Sequence, residues 1–347
     1  MTDAVQQLTI LDSLPKAELH LHLEGSIRPQ AAAELIARHG DRITPDEVAA
    51  RYKYSNFAGF IDSFKWVTSY LRDPEDYALV TRNLLDELVR QHVVYAEITI
   101  SAGVMLRRMQ NVEANFTAIR EAAESVLYRK IRTAWIFDAT RQFGAEAAME
   151  VARCAAKLHR SGIVAFGMGG DELALPAASF RPAFDLARSE GLRIVCHAGE
   201  TGGPDSVRDA VDILGAERIG HGIAVVHDAA LAKSLGLRHV VLENCPTSNL
   251  ATGALAKQTG KTDASIADHP LKQLLAAGSL VTLSTDDPAM FHTDLLTEYS
   301  RAASLGLSND QLLQLAEQSF SAAFLSPIEK RQLLDDFRAA AKSAGLV

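Results

Sequence analysis

Short apolar runs rich in β-branched residues alternate with longer stretches of helical spacing along most of this chain. Such alternation indicates parallel strands joined by crossover helices. There are eight runs, which predicts an α/β fold of the closed (β/α)8 barrel type, and a barrel of this kind can fill one domain of 347 residues. The predicted strands are residues 18–23, 93–100, 131–137, 163–166, 192–196, 218–219, 239–242 and 280–283, and the clearest predicted helices are 76–91, 112–129, 145–160 and 180–190.

Two segments exceed the simple barrel pattern. Residues 25–90, between the first two runs, are too many for one crossover, so we expect a helical insertion that sits over the barrel mouth. Within it, residues 59–70 are apolar and aromatic, which fits either the core of an inserted helix pair or a wall of the pocket. Residues 309–347 predict two or three helices that close the outer ring.

The composition argues against several kinds of partner and location. The net charge of −8, from 35 basic and 43 acidic residues, is unlike that of proteins that bind a nucleic-acid backbone. No apolar run reaches about 18 residues, so no membrane span is expected. Three widely spaced cysteines without a CxxC pair, and no signal-like segment at the start, favour the cytoplasm.

Histidines fall at the ends of three predicted strands, where (β/α)8 barrels carry their catalytic residues. His20 and His22 are two positions apart in the first strand, so their side chains point to the same face. His197 ends the fifth run, and His221 stands between two glycines after the sixth. Each motif alone is more often a packed or turn histidine, but their shared position at strand ends predicts one site.

Carboxyl groups accompany these histidines. Glu200 comes three residues after His197, past Gly199, which allows a tight turn. A carboxyl in a closed pocket can keep its proton near neutral pH and act as a general acid. Asp286 and Asp287 follow the last predicted strand, where two adjacent acids either cap a helix or face a positive charge such as a metal ion.

Taken together, these side chains predict a mononuclear metal site. Three imidazole nitrogens and one carboxylate oxygen form a donor set suited to a single zinc ion with an open position for water. Glu200, His221 and Asp287 then remain as acid, base and binding group. Neither a phosphate-binding GxxxxGK[ST] loop nor a GxSxG serine motif occurs. The predicted metal ligands are His20, His22, His197 and Asp286.

With these residues assigned, the sequence resembles the adenosine deaminase family of the amidohydrolase superfamily. The resemblance spans nearly the whole chain and preserves the order of the family's motifs. It is carried by LPKAELHLHLEGSIRP, GMGGDE, HAGETGGP, ERIGHGI, ENCPTSN and STDDPAMF. It implies a (β/α)8 barrel, a zinc cofactor and hydrolytic replacement of the 6-amino group of a purine by oxygen.

The resemblance also implies a role for each site residue. It makes the four predicted ligands the zinc ligands and Glu200 the proton donor to purine N1. His221 becomes the group that orients the attacking water and takes a proton from it. Asp287 would hydrogen-bond purine N7, and the backbone N–H of Gly170 would face N3. Members with two metals usually carry a bridging lysine on strand four, and residues 162–167 contain none, so one zinc per chain is expected.

One departure from the family pattern concerns the substrate. Adenosine-specific members resemble HxHLDG, whereas this chain has Glu24 in the sequence HLHLEG. We expect an adenosine-type nucleoside as substrate, with adenosine first and 6-amino-6-deoxyfutalosine of menaquinone synthesis a close second. Free adenine, which would yield hypoxanthine, is the third alternative. A barrel that binds purine nucleosides without turning them over is the alternative outside enzymes, and a zinc phosphoesterase or lactonase is another enzyme class. The expected partner is a small purine, with neither nucleic acid nor membrane, and the oligomeric state stays open.

Overall fold

Eight parallel strands form one sheet in which each strand pairs with the next along the chain. The computed structural model describes residues 11–54, 57–125 and 130–346. Leu21 of the first strand pairs in parallel with Asp286 just after the last, so the sheet curls into a nearly closed barrel. The predicted barrel is thus confirmed. The strands are β1 Lys16–His22, β2 Val93–Ile100, β3 Arg132–Thr140, β4 Ile163–Gly169, β5 Arg193–Ala198, β6 Arg218–His221, β7 Val241–Asn244 and β8 Leu280–Leu283.

The strands are buried along nearly their whole length, as expected when helices cover a parallel sheet. In β1 the apolar positions Leu19 and Leu21 are fully buried and alternate with His20 and His22. This alternation gives the two leucines one face of the strand and the two histidines the other.

The segment between β1 and β2 contains helices beyond those of a simple barrel, as predicted. Phe60, in the third of these helices, stacks on Phe291 at 4.9 Å between ring centroids. Because Phe291 follows β8, this third helix lies over the carboxyl ends of the strands. The fourth helix packs on β2 and belongs to the outer ring. The helices are α1 Pro29–Arg38, α2 Pro45–Arg51, α3 Phe57–Thr68 and α4 Pro74–Arg90.

The remaining helices connect successive strands and complete the outer ring. Residues 126–129 of the predicted helix 112–129 lie outside the described residues. Past β8, α15 packs on both β8 and β1, and α16 packs on α15, so two helices close the ring. The bounds are α5 Ala102–Arg107, α6 Val112–Ala123, α7 Ala145–Leu158, α8 Arg181–Ser189, α9 Pro204–Asp212, α10 Ala229–Leu237, α11 Pro246–Ala251, α12 Ala254–Thr259, α13 Leu271–Ala276, α14 Leu295–Ser304, α15 Asn309–Ala322 and α16 Pro327–Ser343. Among the described residues, we find no helix with the length and hydropathy that crossing a bilayer requires.

Candidate active site

Three histidines from opposite sides of the barrel meet inside its mouth. His20 and His22 project from β1, and His197 projects from β5. The ring centroid of His20 lies 5.3 Å from that of His22 and 4.6 Å from that of His197. Each ring offers a nitrogen within 4.8 Å of the others, a spacing at which the three could hold one metal ion. The structure therefore brings together the histidines that the sequence singled out.

Asp286 joins this cluster through its backbone as well as its side chain. Its N–H donates to the carbonyl of His20 (3.0 Å), and its own carbonyl accepts from His22 N–H (2.9 Å). Its Oδ1 lies 3.4 Å from Nε2 of His20 and 3.3 Å from Nε2 of His22. Its φ is +65°, a value that non-glycine residues rarely adopt and that costs on the order of 1–3 kcal/mol. The hydrogen bonds that close the barrel thus hold Asp286 in a strained backbone conformation and fix the position of its carboxylate.

The polar atoms of this cluster fit a zinc ion. Nδ1 of His20 lies 2.9 Å from a carboxylate oxygen of Glu243, whereas Nε2 is buried without a hydrogen-bond partner in the described chain. Ser248 Oγ donates to Oδ2 of Asp286 at 2.6 Å and leaves Oδ1 toward the histidines. An imidazole oriented by a carboxylate behind it, with its other nitrogen free, is the usual arrangement of a histidine metal ligand.

Glu200 lies on a tight turn directly after β5. Gly199 has a φ of +67°, and a Cβ there would collide with Val207, so only glycine fits this turn. Glu200 Oε2 lies 3.7 Å from Nε2 of His221, and Oε1 accepts from Thr252 Oγ1 at 3.2 Å. Burial raises the pKa of Glu200 above its usual value, although His221 opposes the rise. A carboxyl group in these surroundings can keep its proton at a higher pH than one in water.

A buried carboxylate that the sequence did not identify holds this turn. Glu172 accepts hydrogen bonds from the backbone N–H groups of Gly199, Glu200, Thr201 and Gly202, the last at 2.7 Å. The carbonyls of Glu200 and Gly202 accept in turn from Gln258 of α12, at 2.9 and 2.7 Å. The GMGGDE motif contains Glu172, but the sequence gives no sign that it reaches a loop about 30 residues away.

His221 lies at the end of β6 beside the cluster. Its ring centroid is 5.1 Å from those of both His20 and His197. Its Nε2 is 3.9 Å from Oδ2 of Asp286, and its φ of +65° repeats the strained backbone seen at Asp286. Together with Glu200, His221 faces the same space as the other three histidines.

The carboxyl groups of Asp286 and Asp287 differ in their affinity for protons. Burial raises the pKa of Asp286, but contact with His20 and the neighbouring imidazoles outweighs it and holds the value well below the usual range. Burial and the charge of Asp286 together raise the pKa of Asp287 well above that range. Asp287 lies against Gly25, where any Cβ would collide with its carboxyl group.

Gly170 lies on the loop after β4. Its φ is +90°, and a Cβ would collide with Oε1 of Gln142, so the position requires glycine. The same Gln142 oxygen accepts from Asp171 N–H at 2.9 Å and fixes the loop. Gly170 is exposed, as a group that meets a ligand must be before the ligand arrives.

Glu24 reaches the site differently from expected. The sequence argument places it on the same face as His22 if the strand continues, but β1 ends at His22 and Glu24 begins a 3-10 turn. The residue is nevertheless buried, and burial raises its pKa to about 6. Its Oε1 accepts from Ser101 N–H at 3.0 Å, whereas Oε2 is buried without a hydrogen-bond partner among the described residues.

Asp138, near the end of β3, is a further carboxyl that the sequence did not identify. It accepts from Gly169 N–H at 3.1 Å and is buried, which raises its pKa to about 8. A Cβ at Gly169 would lie 3.0 Å from this carboxyl and 3.5 Å from Nε2 of His197. The sequence signal that could have identified Asp138 is its position at the end of the third predicted strand.

Comparisons with known proteins agree with this geometry. A family model described as adenosine deaminase matches residues 15–340. The chain is 40% identical over 344 residues to an aminodeoxyfutalosine deaminase of Streptomyces avermitilis, covering 96% of this chain and 93% of that protein. It is 35% identical over 323 residues to an adenine deaminase of Rhizobium leguminosarum bv. trifolii, covering 92% and 98%. The crystal structure of an adenine deaminase from Arthrobacter aurescens superposes with a TM-score of 0.86 at 29% identity, covering 95% of this chain and 100% of that chain.

Proposed function

Because this chain belongs to the adenosine deaminase family and is a hydrolytic deaminase, we propose that it removes the 6-amino group of a purine nucleoside, with 6-amino-6-deoxyfutalosine as its preferred substrate. The observation that carries this proposal is the cluster of three histidines and Asp286 beside the carboxyl of Glu200. This arrangement combines a metal-binding donor set with a separate proton donor, as hydrolytic attack on an aromatic C–N bond requires.

In the proposed reaction, Glu200 donates a proton to purine N1, which makes C6 electrophilic. Water then adds at C6, one of its two protons passes to the amino nitrogen and the other returns to Glu200. Ammonia leaves with the electrons of the C6–N6 bond, so the 6-amino purine becomes a 6-oxo purine. His20, His22, His197 and Asp286 would hold a zinc ion, which supplies Lewis-acid activation of the attacking water. His221 would orient that water from the opposite side, while Asp287 contacts N7 and the Gly170 N–H contacts N3.

We propose one zinc ion per chain. The absence of lysine from the β4 sequence IVAFGMG supports this number, because β4 offers no bridging group for a second metal. Elemental analysis of the purified protein should give about one zinc per chain. Two metals per chain, both needed for full activity, would contradict the proposal.

The preference for a nucleoside is supported by Glu24. Its Oε2 is a buried acceptor without a partner in the described chain, and a buried acceptor left in that state costs about 1–3 kcal/mol. A hydroxyl group of the sugar that is attached at purine N9 would supply the missing donor, whereas free adenine has no sugar. The higher identity to the aminodeoxyfutalosine deaminase than to the adenine deaminase supports the same choice.

Ammonia release from three substrates tests the proposal. We expect 6-amino-6-deoxyfutalosine to give the highest kcat/KM, followed by adenosine and then adenine. A kcat/KM for adenine above that of both nucleosides would favour the second candidate, an adenine deaminase, which the adenine deaminase relatives make the natural alternative. Release from none of the three would contradict the proposed reaction itself.

The Glu24→Asp variant tests how the sugar is recognised. Shortening the side chain should disturb the contact with a ribose hydroxyl and lower kcat/KM for nucleosides by roughly 2- to 150-fold, the equivalent of about 0.5–3 kcal/mol. Adenine turnover should change little. The exposed Glu34 provides a matched Glu34→Asp control. Equal losses for adenine and the nucleosides would show that Glu24 does not contact the sugar.

A further inference from the structure

The imidazole of His221 is held from behind by a side chain of the helix that follows β7. Its Nδ1 lies 3.1 Å from Nδ2 of Asn249, which is fully buried in α11. Its Nε2 faces the site, 3.7 Å from Oε2 of Glu200 and 3.9 Å from Oδ2 of Asp286. The ring nitrogen that carries the proton therefore decides whether His221 donates or accepts a hydrogen bond in the site.

His269, on the far side of Asn249, fixes the direction of these hydrogen bonds. Leu271 N–H donates to Nδ1 of His269 at 3.2 Å, so this nitrogen must be an unprotonated acceptor. Burial, reinforced by the nearby His221, lowers the pKa of His269 to about 3, so the ring is neutral. Its single proton is then on Nε2, which lies 3.1 Å from Oδ1 of Asn249 and donates to it.

The Asn249 amide can satisfy this arrangement in only one orientation. With Oδ1 accepting from His269, its NH2 group faces His221 and can only donate. The opposite orientation would bring two donors together in a buried place, leaving both unsatisfied at a cost of about 1–3 kcal/mol each. We infer that neutral His221 carries its proton on Nε2 and presents an N–H to the reacting atoms, and that Asn249 and His269 are the positioning residues that impose this tautomer.

In His20 the proton lies on the other ring nitrogen. Its Nδ1 lies 2.9 Å from Oε2 of Glu243. The other oxygen of Glu243, Oε1, pairs with Nε of Arg218 at 2.6 Å, so the group is a carboxylate that only accepts. The His20 proton is therefore on Nδ1, and Nε2 keeps the lone pair that a metal ligand needs.

This difference separates two histidines that both lie near Asp286, His20 Nε2 at 3.4 Å from Oδ1 and His221 Nε2 at 3.9 Å from Oδ2. His20, His221 and Asp286 also form a group with the spacing of a metal site, yet a protonated Nε2 excludes His221 from coordination. In the resting state His221 then donates a hydrogen bond to the oxygen that will attack C6 and cannot accept its proton there, which differs from the proton-accepting role that the family resemblance implies. The inference rests on the proposed function only for the identity of that oxygen.

Nitrogen-15 NMR of the zinc-loaded protein, with labelled histidine and without substrate, tests the tautomer directly. The resonances of His221 are assigned by their absence from the His221→Gln variant. We expect Nδ1 to show the shift of an unprotonated nitrogen and Nε2 to show a directly bonded proton. A proton on Nδ1, in a neutral or a charged ring, would overturn the inference. Because no turnover is involved, the result stands even if the proposed substrate or reaction fails.

Two substitutions of His269 test whether it sets the tautomer of His221 through Asn249. His269→Gln preserves a donor toward Asn249 and an acceptor toward Leu271, and should restore the wild-type spectrum and most of kcat. His269→Leu removes the donor, so the amide of Asn249 can rotate and both tautomers of His221 should appear. Its kcat should fall in proportion to the rings that leave the productive tautomer, about twofold if the two tautomers are equally populated, with KM and zinc content little changed. A wild-type spectrum in His269→Leu would overturn the role of His269, and the spectrum of the unmodified protein decides the tautomer if that variant does not fold.

Discussion

The surroundings of His20 support its proposed role as a metal ligand. Its ring is buried between β1 and β7, with one nitrogen on Glu243 and the other without a partner in the described chain. A structural histidine in the core would normally satisfy both nitrogens, because a buried unpaired polar atom is costly. The free Nε2 beside Oδ1 of Asp286 supports the proposed metal site.

The His20→Ala variant should lose zinc and activity together, because it removes one of four donors and leaves Glu243 without its imidazole. Elemental analysis and ammonia release measure the two effects. His39→Ala is the matched control, since His39 also binds a buried carboxylate, that of Asp76 at 2.8 Å, but outside the cluster. This control should retain its metal. Full zinc content in an active His20→Ala protein would contradict the ligand assignment.

The Glu200→Gln variant should retain zinc and lose most of its turnover. The amide keeps the size of the side chain but cannot deliver a proton to N1, so kcat should fall by roughly 10² to 10⁴. Burial raises the pKa of Glu200; the nearby His221 lowers it, and the charges of Asp286 and Glu172 raise it further. Wild-type kcat should therefore decline only as the pH rises through this elevated pKa. This alkaline limb should vanish in the variant. An exposed control, Glu190→Gln, should leave the profile unchanged.

At the level of elements, the loop after β4 and the turn after β5 behave as one unit because Glu172 joins them. Its carboxylate accepts four consecutive backbone N–H groups of the turn, which otherwise would have no partner in a largely buried place. The same loop carries Gly170 two residues earlier. Movement of the loop that would bind purine N3 is thereby coupled to the position of Glu200.

The Glu172→Gln variant should show this coupling. An amide has one acceptor oxygen and brings an NH2 group against backbone donors, so the free energy of unfolding should fall by about 1.5–3 kcal/mol. Displacement of Glu200 should also lower kcat by about tenfold or more while zinc stays bound. Urea unfolding and kinetics measure the two effects.

The control for this variant is Glu217→Gln. Glu217 pairs with Arg193 on a partly exposed surface and should contribute less than about 1 kcal/mol. If Glu172→Gln is as stable and as active as this control, the turn does not depend on the carboxylate.

The elements that the sequence predicts best are those with a periodic signal. All eight strands lie where the apolar runs indicate, because a strand covered on both sides must be apolar throughout. His20 and His22 could be grouped because two positions along one strand share a face. Glu172 could not be identified, since its importance comes from contacts with residues about 30 positions away, whereas Asp138 had only its place at a strand end to mark it.

The end of β1 shows a second limit of the sequence pattern. Alternation extrapolates to Glu24, but the chain leaves the strand after His22, and hydrogen bonds from Asp286 and Ser101 decide the local path. The tautomer of His221 likewise depends on Asn249 and His269, which the sequence places in no recognisable motif together. Such long-range polar contacts leave no periodic trace in the sequence.

At the scale of the whole molecule, one buried ionic network connects distant parts of the chain. Arg218 of β6 pairs with Glu97 of β2 and, at 2.6 Å, with Glu243 of β7. Its guanidinium also lies 3.6 Å from the ring centroid of Phe324 and donates to the carbonyl of Ala322 at 3.0 Å. The network thus joins three strands to the segment between α15 and α16, and through Glu243 it reaches His20.

That residues 1–347 form one domain stays a prediction, and this network offers a way to test it. If the barrel and the helices that close it are one cooperative unit, urea unfolding should follow a single transition whether monitored by tryptophan fluorescence or by circular dichroism. Two separate transitions would indicate that part of the chain folds by itself.

The Arg218→Met variant tests how much the network contributes. Methionine fills much of the same volume but leaves Glu97 and Glu243 as buried carboxylates without their cation, so the free energy of unfolding should fall by about 3–5 kcal/mol. Zinc should also bind more weakly, because Glu243 would no longer hold the ring of His20 in one orientation.

Arg338→Met is the control, since Arg338 pairs with Glu317 at 2.7 Å on an exposed surface and should change stability by less than about 1 kcal/mol. Adding Glu97→Gln to Arg218→Met should recover part of the loss, because it removes one of the two unpaired charges. A loss no larger than that of the control would show that the barrel does not depend on this network.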